Sequence, residues 1–156
     1  MSKVVVADSS CLIGLSKVGQ LDLLRQLFGQ VLIPKAVYHE VVVRGANRPG
    51  ASEVAAAGWI EVCEIKDQLA LRTLKLTLGV GESEAIILAS EKSADFLILD
   101  DWKARQIALG LDLPVVGTIA ILNKADEKGL LTDLPMVLEG LRLAGFRFLL
   151  VSVIVT

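Results

Sequence analysis

Short aliphatic runs of strand length recur along this chain, and the stretches between them carry apolar residues at helical spacing. That alternation restricts the fold most, because a strand that returns parallel to its predecessor needs a crossover long enough to hold a helix. The runs are Lys3 to Ala7, Val31 to Ile33, Trp59 to Ile65, Phe96 to Leu99 and Pro114 to Val116. They predict an α/β chain built from βαβ units around a parallel sheet. Apolar residues supply 53% of the sequence and aromatics only 4%, which is what strands buried on both faces by aliphatic side chains require. A length of 156 residues suits one domain over 1–156 whose core needs neither disulfide nor structural metal.

Asp8-Ser9-Ser10 offers capping oxygens ahead of a helix from Cys11 to Val18, which Gly19 ends, and Leu21 to Phe28 reads as a second helix. Pro34 sits where another can start, carrying Val37 to Val43. Arg44 to Gly50 is dense in turn formers and basic residues, so it is expected as an exposed loop within reach of phosphate. A helix is expected near Ser52 to Ala57, and Trp59 to Ile65 alternates apolar and polar residues as a half-buried edge strand does. Leu71, Leu74 and Leu78 mark a helix face, Gly79-Val80-Gly81 breaks it, and a new helix runs from Glu82 to about Lys92. Helices at Trp102 to Leu109, Thr118 to about Lys128 and Leu134 to Leu143 complete the pattern.

Sixteen basic residues against 18 acidic ones leave a net charge of −2, so the global basic footprint of a tight nucleic-acid binder is missing. Any RNA contact must be local or carried by bound metal. Cys11 and Cys63 lie in apolar runs with neither CxxC spacing nor a histidine partner, which fits structural thiols in a reducing cytosol. Asp8 interrupts the first apolar run almost at once, so no export signal is expected and the chain is placed in the cytoplasm. The apolar run from Phe146 to Thr156 is too short to span a membrane and is expected to be a closing strand or an interface segment.

Functional groups in an open α/β sheet gather at the carboxyl ends of the strands. Asp8 and the pair Asp100-Asp101 both stand at such ends, in opposite halves of the sequence. Glu82 and Glu84 fall in the first turn of one helix and Glu40 within another. Carboxylates crowded together repel, and hard cations such as Mg²⁺ or Mn²⁺ make the crowding tolerable because they prefer carboxylate and water oxygens. Ions held this way activate water for attack at phosphorus. Positions two apart on a helix face differently, so Glu82 is preferred over Glu84 as a ligand. Asp101 is preferred over Asp100, which is expected nearby or capping.

Each of these residues also has a purely structural alternative. Asp8 and Asp101 can cap the helices that follow, Glu82 and Glu84 can complement a helix dipole, and Glu40 can be a solvated helix residue. Ser10 and Thr118 can orient an acid or its water, or merely cap. His39 faces away from its neighbour Glu40 and reads as a surface histidine. Arg44, Arg48, Lys103 and Arg105 are candidates for phosphate oxygens, against a default of solvated charge.

Taken in order, Val-Val-Val-Ala-Asp8-Ser-Ser, Pro34 to Glu40-Val41, Gly79-Val80-Gly81-Glu82-Ser83-Glu84-Ala85-Ile86, Leu97-Ile98-Leu99-Asp100-Asp101 with Ala104-Arg105, and Val116-Gly117-Thr118-Ile119 resemble the PIN-like superfamily. The resemblance runs along nearly the whole chain; the superfamily includes toxin nucleases of VapC type, and the likeness is specifically to a bacterial and archaeal branch of it. It implies a three-layer α/β/α fold with a central, mostly parallel sheet, and Mg²⁺- or Mn²⁺-dependent endoribonuclease chemistry on single-stranded RNA. It further implies a homodimer and a small antitoxin partner. The superfamily's acids fall on Asp8, Glu40, Glu82 and Asp101, with Asp8, Glu82 and Asp101 as metal ligands and Ser10, Glu84, Asp100 and Thr118 in support. Three features depart from it. The third acid is commonly Asp, Leu99 stands where many relatives have Thr or Ser, and the apolar stretch Phe148 to Val153 replaces a polar C-terminal helix.

Two rival readings follow from the residues. Leu99 and the acidic net charge suit a PIN-like scaffold that binds RNA or a protein without cutting. A phosphatase using Asp8 as nucleophile would want a second Asp two positions on, where this chain has Ser10.

Overall fold

The computed structural model describes residues 3–146. Five strands lie side by side: β1 (Val5–Ala7), β2 (Val31–Pro34), β3 (Ile60–Cys63), β4 (Phe96–Ile98) and β5 (Val115–Val116). All pairings are parallel, in the order β3-β2-β1-β4-β5. The run predicted for an edge does lie at one, and Glu61 and Val62 of β3 face solvent.

Helices α1 (Ser9–Lys17) and α2 (Asp22–Phe28) link β1 to β2. Helix α3 (Lys35–Tyr38) runs on into a π-helical turn, His39–Val43, and α4 (Ala51–Ala56) leads into β3. The long crossover to β4 contains α5 (Gln68–Leu74) and α6 (Val80–Glu91), while α7 (Trp102–Gly110) joins β4 to β5. After β5 come α8 (Thr118–Glu127) and α9 (Leu134–Leu143).

Strand geometry sorts the core into two layers, because successive side chains leave opposite faces of the sheet. Val5 and Ala7 pack with Leu12, Leu24 and Leu122 from α1, α2 and α8, whereas Val6 packs with Ala85, Leu88 and Ala108 from α6 and α7. In β4, Ile98 joins the first layer and Leu97 the second, as does Leu99 just beyond the strand. The fold is therefore three-layered, α/β/α. Burial on both faces also explains why the central strands read as unbroken aliphatic runs, without alternation.

Of the boundaries that differ from the pattern reading, two bear on Glu40 and Glu82. The helix expected from Glu82 begins two residues earlier, with Gly79 as its N-cap and Gly81 inside its first turn. The continuous helix expected through Val43 is α-helical only to Tyr38 and then widens, Arg44 N donating to His39 O at 2.8 Å. Three successive valines are poor α-helix formers. The run from Arg44 to Gly50 forms turns, as expected, and Arg44 and Arg48 are exposed.

The chain leaves β1 toward β2 on one side, and leaves β4 toward β5 on the other. A crevice opens at the carboxyl ends of strands where the winding reverses in this way. Register brings Ala7 beside Ile98, and Asp8 N donates to Ile98 O at 3.1 Å. The expected closing strand or interface segment lies, beyond Phe146, outside the described residues. Among those described, no helix is long and apolar enough to cross a membrane.

Candidate active site

Asp8 ends β1 and is 2% exposed. Its backbone occupies the N-cap position of α1, yet its side chain makes no capping bond there, and its buried Oδ1 has no hydrogen-bond partner. The usual capping bond is thus absent, although the carboxylate takes a backbone hydrogen bond from Ser9. Three other carboxylates face it electrostatically, Glu82, Glu40 and Asp100. Glu82 in turn feels Asp101 and Glu40. Five acids from four separate elements are thus linked by charge, Asp101 to Asp8 only by way of Glu82.

The two strand-end aspartates divide their work differently from the expectation. Asp101 is the helix cap, accepting from Ala104 N at 2.9 Å. Asp100 turns inward and is clamped at the start of α8, taking Thr118 N at 2.8 Å on Oδ1 and Thr118 Oγ1 at 2.6 Å on Oδ2. Thr118 therefore orients an acid, and the N-terminal end of α8 adds favourable dipole to that carboxylate. Arg105 was a phosphate candidate, but its guanidinium points inward: Nη1 donates to Leu99 O at 2.9 Å, and its charge partly offsets the rise that burial gives the Asp100 pKa. A Cβ on Gly117 would fall 2.9 Å from Arg105 Nη1 and 3.2 Å from Asp100 Oδ1, so the missing side chain makes room for this contact.

Glu40 projects from the π-helical turn, a widening often found at functional sites. The hydroxyl that holds it is Ser9, whose Oγ donates to Glu40 Oε2 at 3.1 Å, while Ser10 lines the cleft in front of the acids. Residue pattern could not choose between two adjacent serines, because that choice depends on the rotation of α1. On the other side, a Cβ on Gly81 would come within 2.8 Å of Glu40 Cδ. Glu84 points away and accepts from Ala36 N at 3.1 Å, so it anchors the start of the helix that leads to Glu40. Glu82 reaches Gly79 N at 3.4 Å and still lines the cleft with Asp100 and Asp101.

A family profile described as PIN domain matches residues 4–150. The chain belongs to the PIN domain family. No curated protein matches it. PIN domains are generally nucleases, and they typically use divalent metal ions. Membership thus gives this chain a nuclease-type function at family level.

Hard oxygen donors are what such an ion takes, and the orphaned Asp8 Oδ1 supplies a buried one in want of a partner. Among the described residues no three His, Cys, Asp or Glu side chains already stand in ligating geometry. An ion would have to gather this PIN domain's acids by side-chain rotation.

Electrostatics show how costly the cluster is without a cation. Burial, then the charges of Glu82, Glu40 and Asp100, outweigh a backbone hydrogen bond from Ser9 and push Asp8 from its ordinary 3.8 up to about 7. Burial followed by Asp101 and Glu40 likewise raises Glu82, and burial raises Asp100 against its Thr118 bonds. Cys11, fully buried beneath the site, is held protonated by burial and by Asp100 and Asp8.

For Asp8 the folded pKa lies above the unfolded one, so between about 4 and 7 the folded state binds the extra proton. Stability of the metal-free PIN domain should therefore fall as pH rises through that window and stay low above about 7. The full effect of Asp8 is on the order of 4 kcal/mol. Thermal melts in chelator at pH 5 and pH 8 check this, and an equal or higher melting temperature at pH 8 would contradict it.

Proposed function

We propose that this PIN domain is a metal-dependent endoribonuclease acting on single-stranded RNA, and that it serves as the toxin of a toxin–antitoxin pair. The observation that carries the reading is the deep Asp8 carboxylate, whose Oδ1 is orphaned and which feels the charges of acids from three other elements. Asp8, Glu40, Glu82, Asp100 and Asp101 would hold Mg²⁺ or Mn²⁺. A divalent cation bound there supplies Lewis acidity, water activation and charge neutralisation for attack at phosphorus.

The chain's own residues do the positioning. Thr118 fixes both oxygens of Asp100, Ser9 steadies Glu40, and Glu84 secures the start of α3. Arg44, Arg48 and Lys103 are exposed and take RNA phosphates in this reading. A small antitoxin and a homodimer belong to the same proposal.

The test is cleavage of a labelled single-stranded RNA with Mn²⁺ or Mg²⁺ and with chelator. Turnover that requires the metal supports the reading. RNA binding without turnover at any metal concentration would favour the non-cutting scaffold, for which the fully buried Leu99, lacking a strand-end hydroxyl, is the specific motive.

A further inference from the structure

A guanidinium stands beside the acids without a carboxylate of its own. Among the described residues, the Arg105 side chain makes its hydrogen bond to a neutral group, Leu99 O at 2.9 Å, and no ion pair. Both oxygens of Asp100 are taken by Thr118 instead. The point where Gly117 would carry a Cβ lies 2.9 Å from Arg105 Nη1 and 3.2 Å from Asp100 Oδ1, so these two atoms are within about 6 Å of each other, a range over which opposite charges still favour each other's ionised form. Gly117 has φ −98°, which any residue adopts, so its missing side chain serves this approach and not a turn.

The placement has an electrostatic consequence. The charges acting on Asp8 and Glu82 are acidic, and the positive charge acting on Asp100 is that of Arg105. A tight ion pair shows its surroundings only a dipole, whereas an unpaired charge keeps its full reach. Arg105 therefore acts on the acids as a group.

We propose that Arg105 is a built-in counter-ion for the acid cluster: it steadies the carboxylates while no dication is bound and, fixed beside Asp100, weakens the binding of a dication that arrives. It is a positioning residue, acting through the acids. The first half stands on the geometry alone, and the second rests on the metal-dependent reading of the site. A merely structural role, tying α7 to the end of β4 through Leu99 O, predicts the reverse. Losing that tie would loosen the acids, so metal binding would weaken or stay unchanged.

The experiment titrates the full chain with Mn²⁺ at pH 8 by calorimetry, without RNA, and adds thermal melts in chelator and in saturating Mn²⁺. Arg105→Gln should bind Mn²⁺ at least about threefold more tightly than the wild type, because one positive charge near the dication is gone. Its melting temperature should fall in chelator, and Mn²⁺ should close much of that gap. Arg105→Lys keeps the charge and should stay within about twofold of the wild-type affinity, as should Arg142→Gln, whose charge is paired with Glu139 on the surface.

If Arg105→Gln fails to fold by circular dichroism, Gly117→Ala decides, because its Cβ displaces the guanidinium tip while the arginine stays in the chain; it too should tighten Mn²⁺ binding. Unchanged or weaker Mn²⁺ binding in the deciding variant would overturn the counter-ion, as would Arg105→Lys binding as tightly as Arg105→Gln. A wild type that binds no Mn²⁺ would sink the metal reading instead. The melts in chelator then judge the counter-ion: stability lost in Arg105→Gln and kept in Arg105→Lys supports it, and equal loss in both overturns it.

Discussion

Asp8→Asn will cost at least about 100-fold in metal-dependent RNA cleavage and, at the same time, raise the melting temperature of the metal-free protein at pH 8. Both effects come from one carboxylate, 2% exposed, with an orphaned Oδ1 and three acidic neighbours. Loss of outer-shell partners of a metal site already costs 10- to about 100-fold, and removing a charged donor from inside it should cost no less. The stability gain follows from deleting a buried charge whose pKa is pushed up to about 7. It is limited because the amide is still a buried polar group, so a rise of a few degrees is expected. A residue that served the fold would show both quantities falling together. Cleavage retained in Asp8→Asn, with metal still required, would remove Asp8 from the site.

Gly81→Ala should behave against the ordinary helix scale. Alanine is favoured over glycine within a helix by about 1 kcal/mol, yet here the added Cβ meets the Glu40 carboxylate. Steric insertion of that kind typically costs about 1–3 kcal/mol. Displacing Glu40 from Ser9 and from the other acids should also reduce cleavage at least about tenfold. The double variant Gly81→Ala/Glu40→Ala removes the obstructing group, so it should recover much of the lost stability and none of the activity. Denaturant unfolding of the two single variants and the double one measures this coupling. Additive losses would show that the two residues do not meet.

Much of the architecture was legible because it follows from local periodicity. Val5, Val6 and Ala7 could be read as a strand buried on both faces, and Trp59 to Ile65 as an edge strand, since burial leaves its signature in the alternation of apolar residues. The errors came where two conformations compete closely. The valines after Glu40 could not announce a π turn, and Gly81 was taken for a helix breaker although the first turn of α6 accommodates it.

Side-chain assignments were less legible than strands. That Asp8 and the Asp100-Asp101 pair end strands was readable, and a rule about carboxyl ends of parallel strands suggested that they meet. Which aspartate caps α7 and which turns toward Thr118 depends on the exact exit angle of the chain from β4. Arg105 shows the same limit: its charge advertised phosphate, but Leu99 O lies within reach only after β4 and α7 have packed.

The sequence by itself determined the layers, the parallel sheet and the set of acids available, because those depend on residue type and spacing along one element at a time. Tertiary structure alone decided which acids face one another, that Ser9 and not Ser10 holds Glu40, and that Gly81 leaves room for it. The reason is physical: hydrogen bonds and charge repulsion fall off over a few ångströms, so they are set by how helices are rotated against the sheet, and no residue records that rotation in its own neighbourhood of the chain.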